Sequence, residues 1–377
     1  MLTPEEAYAA VNLDTIVLLL GTMILSEYLK LSGFYSWVAT RIARAGLTPR
    51  GLLRSLVILA GGLSAILVND TVCLMLTPLV VSFLEAAGLP IVPYLMALAT
   101  SSNIGSALTL TGNPQNMIVG SLSGIAYLRF TALTAAPVVA SLLANDLLLA
   151  RFYGKDLVAV PHPHGTARAD APDVDPPLLW KSLACLGLAI VGFSATKLTH
   201  LNLAWTAIAA ASLLLVIGRR DPYKVFAGLD WTLLLFFAGL FVVIGGLAHT
   251  GVLTEVEERF VRPLLGGSAT SQGLHLSWVT LVGSQLFSNV PYVLVTSQWI
   301  PTLADPELAW ILLAYVATVA GNLTILGSVA NVIVLEQARR HATIGFFQYL
   351  RFGILTTFAS TALGVGLILL EHHLGWV

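Results

Sequence analysis

The chain reads as an all-α polytopic membrane protein made of two inverted-topology repeats, each with a re-entrant helical hairpin and a broken transmembrane helix. Three observations predict this class. The 377 residues are 56% hydrophobic and only 10% charged, with a mean hydropathy of +0.84, which leaves too little polar surface to cover a soluble globule. Apolar runs of roughly 20 residues, the length that crosses about 30 Å of hydrocarbon, recur along the sequence. Two stretches at matching positions break those runs with asparagine, glycine and proline. The first holds Val68-Asn69-Asp70-Thr71 and Thr111-Gly112-Asn113-Pro114-Gln115-Asn116; the second holds Ser288-Asn289-Val290-Pro291 and Leu326-Gly327-Ser328-Val329-Ala330-Asn331. Polar interruptions at corresponding places in two halves are the best sequence pointer to a transporter's binding site.

Taken in order, single spans are expected at about 13–31, 131–150, 178–196, 203–218, 229–247 and 350–371. The runs at 92–128 and 308–338 are too long for one straight crossing and carry Gly112 and Gly327, so they read as broken helices, bringing the total to about eight full spans. The stretches 52–87 and 272–303 are split at Asn69-Asp70 and at Ser288-Pro291 into halves of about 16 residues. Such halves are short for a crossing, which predicts re-entrant hairpins. Amphipathic segments from Phe34 to Ala45 and from Val252 to Leu264 are expected in the interface. The first inverted repeat is thus 13–150 and the second half 178–371, joined by residues 151–177, whose Pro, His and Asp content predicts a flexible cytoplasmic linker.

Lysine and arginine orient the chain. With the N-terminus outside and both hairpins entering and leaving on their own side, only Arg129, Lys197, Arg259 and Arg262 lie outside, and the other 15 of the 19 basic residues lie inside. Both termini are therefore expected outside. A single crossing in place of either hairpin would flip everything after it and largely cancel this asymmetry. The first repeat then begins by running inward and the second by running outward. A shift of 218 residues lays Gly21 on Gly239, Gly33 on Gly251 and Ala99-Thr100 on Ala317-Thr318. After a slip of three, Leu108-Thr109 meets Leu323-Thr324, Gly112 meets Gly327 and Asn116 meets Asn331.

Composition also excludes. A net charge of −1 and a pI near 6.7 leave no basic footprint for nucleic acid. Cys73 and Cys185 sit in apolar runs without ligand spacing and read as buried free thiols. Met1 to Ala10 carries Glu5 and Glu6 in place of a basic n-region, so no cleavable signal is expected. The spans hold no nucleophile-base or metal constellation, which argues against an intramembrane enzyme; no cofactor is expected beyond Na+ or H+ as coupling ion.

Hairpin tips and helix breaks free backbone N–H and C=O groups that hydrocarbon cannot satisfy, so these groups must face protein, water or an ion. Half-helix N-termini favour anions, and freed carbonyls favour cations. Asn69 and Asn289 at the tips, opposite Gly112 and Gly327, would supply side-chain oxygens to Na+, and Asn116 and Asn331 would cap the second half-helices. Asp70 is the one acidic residue expected at mid-membrane and is a functional candidate by default, as a ligand for Na+ or the carrier of a coupled proton; the second tip has Val290 there. Thr71, Asn113, Ser288, Asn322 and Thr324 join these as solute-binding candidates. Ser101, Ser102, Asn103 and Thr318 rank below the tips. Glu27, Asp146 and Asp230 are expected to snorkel at cytoplasmic span ends, and His249 to be interfacial.

At Asn69-Asp70-Thr71 with Leu76-Thr77-Pro78, at Gly112-Asn113-Pro114-Gln115-Asn116, at Ser288-Asn289-Val290-Pro291 and at Gly327-Ser328, the chain resembles the ion transporter superfamily. That group includes arsenite permeases, citrate-transporter-like divalent anion:sodium symporters and sodium/proton antiporters. The likeness runs from about residue 13 to 371. It implies a transport domain of hairpins and broken helices beside a scaffold domain that forms a homodimer. In the dicarboxylate symporters both tips read Ser-Asn-Thr; here the asparagines carry over, but the first serine and the second threonine do not. The expected function is secondary active transport of a small anion or oxyanion, coupled to Na+ or H+, by alternating access in a prokaryotic inner membrane. Sodium/proton antiport and arsenite efflux are the alternatives.

Overall fold

The structure, a computed structural model, describes residues 2–158, 173–262 and 266–376. No strand occurs among them. Twenty α-helices follow in order: α1 (Pro4–Ala10), α2 (Leu13–Leu31), α3 (Phe34–Ala43), α4 (Pro49–Ile66), α5 (Asn69–Ala86), α6 (Ile91–Ser106), α7 (Pro114–Leu122), α8 (Tyr127–Phe152), α9 (Gly154–Val158), α10 (Pro176–Ser194), α11 (Thr196–Thr199), α12 (Leu203–Gly218), α13 (Pro222–Ala227), α14 (Trp231–His249), α15 (Val252–Val256), α16 (Ala269–Phe287), α17 (Asn289–Thr296), α18 (Pro306–Ala320), α19 (Val329–Ala338) and α20 (Phe346–His373). A π-helical turn, Glu257–Val261, continues α15.

Six of the described helices are long and apolar enough to cross a membrane, or seven if the bent pair α1 and α2 counts as one span. The difference from the eight spans expected has a physical cause. The first half of each broken helix and α12 are short, 16 residues in α6, 15 in α18 and 16 in α12, whereas α4 and α5, expected as short arms, have 18 each. The early elements repeat at the interval of 218. Gly33 and Gly251 both take positive φ, 79° and 75°, at the N-caps of α3 and α15, a conformation that glycine adopts without steric cost.

Helices α4 and α5 turn back on each other at Leu67-Val68. Leu52 and Leu56 from the start of α4 line one cavity with Val80, Phe83 and Leu84 from the end of α5. The second pair behaves alike: Ala304 N–H, beyond α17, donates to Gln272 Oε1 at the start of α16 (2.9 Å), and Tyr292 on α17 packs on Gly283 of α16. The breaks fall where glycine and asparagine predict them, between α6 and α7 and between α18 and α19. Helices α2, α10 and α12 pack together, with Gly21 against the Ala207 backbone, and α2 and α12 also meet α7.

Several local expectations are revised. Helix α8 runs to Phe152 and α9 lies inside the stretch expected as linker, because Tyr153 and Leu157 are buried and the Tyr153 ring packs on Phe352; residues 159–172 of that stretch lie outside those described. Glu27 and Asp146 do not snorkel. Both are buried and ion-paired, Glu27 Oε2 with Lys30 Nζ at 3.0 Å and Asp146 Oδ2 with Arg54 Nε at 3.1 Å, since a buried carboxylate needs a partner. Asp230 is exposed and caps α14 by accepting from Leu233 N–H. His249 is exposed and pairs with Glu6 at 3.2 Å. The two cysteines are buried and free.

Candidate functional site

Four helices begin at the centre of the hairpin and broken-helix block: α5 at Asn69, α7 at Pro114, α17 at Asn289 and α19 at Val329. Four others end there. The carbonyls freed at the helix ends and breaks are met by asparagine, threonine and glutamine side chains, whereas of the four N-termini only that of α7 has a side-chain cap. Asn113, with Pro114 at the first helical position, caps α7 by accepting from Asn116 N–H at 2.8 Å. The cap is therefore Asn113 and not Asn116, since proline at N1 leaves its predecessor extended and free to cap.

Asn116 and Asn331 tie up carbonyls instead, and in the same way. Asn116 Nδ2 donates to Ser106 O and Thr109 O at 3.2 and 2.9 Å. Asn331 Nδ2 donates to Gly321 O and Thr324 O at 2.7 and 3.0 Å. Ser106 and Gly321, Thr109 and Thr324, Asn116 and Asn331 are each 215 residues apart. At this interval Asn103 matches Thr318, and the two exchange partners across the centre. Asn103 Nδ2 donates to Asn331 Oδ1 at 3.0 Å and to Asn322 Oδ1 at 2.9 Å. Thr318 Oγ1 donates to Asn116 Oδ1 at 3.3 Å and accepts from Asn113 and Gln115 at 3.1 and 3.3 Å. Each broken helix thus reaches into the break of the other. The Ala99-Thr100 match to Ala317-Thr318 is one turn out of register.

The first tip is fastened to this core. Asn69 N–H donates to Gly112 O at 3.0 Å, Asn69 Nδ2 to Asn103 Oδ1 at 3.1 Å, and the Thr109 hydroxyl to Ala65 O at 2.6 Å. Ser328 Oγ also donates to Asn103 Oδ1, at 2.9 Å. At the second tip Asn289 lies beside Gly321, and Ser288 has φ 65° and ψ 155°, a region that costs a non-glycine residue about 1–3 kcal/mol. Two buried oxygens are without a hydrogen-bond partner at these tips: Asn69 Oδ1 and Asn289 Oδ1.

The structure therefore brings together Asn69, Gly112, Asn113, Asn116, Asn289, Asn322, Thr324, Gly327 and Asn331. Asp70 and Thr71 are half-buried on the first turn of α5, at the edge of the bonded set, and Ser288 is exposed. The bonded set also contains Asn103 and Thr318, which the sequence ranks below the tips, and Ser328 and Gln285, which were not among the sequence candidates. Carrying the 215-residue interval of the breaks back into the preceding helix, in place of 218, would have paired Asn103 with Thr318.

The chain matches the family profile described as citrate transporter over residues 1–320. It is 30% identical to the silicon efflux transporter LSI3 of Oryza sativa subsp. japonica over 433 aligned residues, 98% of this chain and 89% of that protein. It is 26% identical to the putative transporter arsB of Dictyostelium discoideum, across 98% of this chain and 84% of the other. Among solved structures, the Alcanivorax borkumensis YdaH transporter superposes with a TM-score of 0.63 at 19% identity, covering 96% of this chain and 85% of that one, and so shares its fold.

Proposed function

Because the chain belongs to the citrate transporter family, we propose that this membrane transporter moves a small anion or oxyanion by secondary active transport coupled to Na+ or H+. One observation carries the reading. The two pseudo-equivalent tip asparagines each hold a buried carboxamide oxygen with no partner in the protein, and such an oxygen costs about 1–3 kcal/mol unless something binds it. A hard cation such as Na+ takes carboxamide and backbone carbonyl oxygens. The solute binds between the tips and the breaks, at Asn113, Asn322 and Thr324, where four helix N-termini offer partial positive charge to an anion without any lysine or arginine. Asp70, at the edge of the first tip, carries the coupling ion or proton.

Alternating access follows from the exchange of roles between two inverted repeats, with both hairpins re-entrant, both termini outside, the 151–177 linker cytoplasmic, and a homodimer formed through the scaffold helices in an inner membrane. The relatives named for silicon efflux and for arsB support an oxyanion within the anion class. The test is flux in proteoliposomes. Uptake of citrate, arsenite or silicic acid driven by an Na+ or H+ gradient is expected, and Na+/H+ exchange that proceeds without any added solute would replace this reading by antiport.

A further inference from the structure

The two half-sites share one plan but are not equally closed. In the first, α4 lies backbone to backbone on α6: a Cβ on Gly105 would overlap the Gly61 carbonyl. Thr109 holds the hairpin by its own backbone, at Ala65 O, and Leu67 and Val68 at the turn are buried. Aligning the tips on Asn69 and Asn289 and the breaks on Asn116 and Asn331 makes Leu281, Ala320 and Gln285 the counterparts of Gly61, Gly105 and Ala65.

Two side chains therefore stand where the first repeat has almost none. Leu281 is buried along α16. Gln285 spans the space between hairpin and break: its Nε2 donates to Ala320 O at 2.8 Å, and its Oε1 accepts from Thr324 Oγ1 at 3.1 Å. The threonine that grips backbone in the first repeat grips a side chain in the second, so the second hairpin stands off its break by the reach of a glutamine. Phe287 and Ser288 at its turn are exposed. Beside Gln285 lies Gly327, and Asn289 Oδ1 is buried at the same tip without a partner.

We propose that the second hairpin tip is the one that receives the solute, with the Gln285 carboxamide among the groups that contact it, while the backbone-closed first tip takes the coupling cation alone. This rests on the carrier reading above. Gln285 spends one N–H and one lone pair inside the protein, and an amide has two of each, so a donor and an acceptor are left for a solute oxygen. The first tip offers a cation Asn69 Oδ1 and backbone carbonyls, with no comparable donor side chain at the Ala65 position.

The test uses the full chain in proteoliposomes as wild type, Gln285→Ala and Gln285→Glu, with citrate, arsenite and silicic acid as probes. Initial rates are measured against solute and against Na+ concentration. Gln285→Ala is expected to raise the solute KM about tenfold, the size of one lost good hydrogen bond, with half-saturating Na+ changed less than about twofold. Gln285→Glu replaces the donor by a like charge and should impair citrate more than silicic acid. Solute KM left unmoved in both variants, or solute and Na+ constants shifting by the same factor, overturns the assignment of Gln285 alone. A wild type inert toward all three probes under either gradient overturns the carrier reading, and this one with it. Gln285→Glu, close in shape, keeps the test decisive if the alanine variant fails to fold.

Discussion

Replacing Asn103 by alanine should be among the most destabilising single changes in the molecule. Its side chain accepts from Asn69 Nδ2 at 3.1 Å and Ser328 Oγ at 2.9 Å, and donates to Asn322 Oδ1 at 2.9 Å and Asn331 Oδ1 at 3.0 Å. It is 2% exposed. At about 1 kcal/mol net for each bond, the loss comes to about 4 kcal/mol, and more if the four stranded partners stay dry. Thr318→Val is close to isosteric and removes three longer bonds, of 3.1 to 3.3 Å, for about 2–3 kcal/mol. The two sets of partners share no atom, so the double variant should lose about 6–7 kcal/mol. Reversible unfolding of the purified protein in mixed micelles measures all three. An Asn103→Ala cost below about 1 kcal/mol, or one smaller than that of Thr318→Val, would refute the reciprocal bonding of the two broken helices as a source of stability.

Other substitutions probe the tips and the closely packed arm. Ser288→Gly relieves the positive φ of 65° and should raise unfolding stability by about 1 kcal/mol, whereas Ser288→Ala should not; equal values for the two would remove strain from the account. Gly105→Ala, whose new methyl meets the Gly61 carbonyl, should cost more than about 3 kcal/mol or abolish expression, while Gly62→Ala, with open space around it, should be neutral or stabilise by up to about 1 kcal/mol. Asp70→Asn should abolish transport or its pH dependence with expression intact, as followed by flux at several pH values; unchanged flux would leave Asp70 a purely structural residue. Asn289→Ala should raise the Na+ concentration needed for half-maximal flux, and an unaltered Na+ curve would count against a cation ligand at the second tip.

The breaks and tips were legible because glycine, proline and asparagine act on the backbone locally. Gly112, Pro114 and Gly327 announce their turns wherever the rest of the chain goes. Register was harder. A slip from 218 to 215 residues is about one helical turn, which returns nearly the same face, so matching Ala-Thr letters hid the pairing of Asn103 with Thr318. The cap at Asn113 was available from Pro114, but Asn116 three residues later fits the letters equally well. Asp146 lay beyond local reading for another reason: its partner Arg54 is 92 residues away, and nothing near Asp146 in sequence says that the two meet. Gln285 resembles any polar residue until the two tips are superposed and alanine is found in its place.

The bonded set that joins the two breaks contains asparagine, glutamine, serine and threonine only. A lining of that kind brings no charge of its own to the electric field across the membrane. Under the proposed function, voltage then acts chiefly on the passengers, at about 2.3 kcal/mol per elementary charge per 100 mV. Current per molecule carried becomes a direct count of coupling cations minus the charge of the solute. Asp70, beside the first tip, is the ionisable group whose own displacement would enter that count, so comparing charge movement in the wild type and Asp70→Asn would separate what the carrier contributes from what it carries.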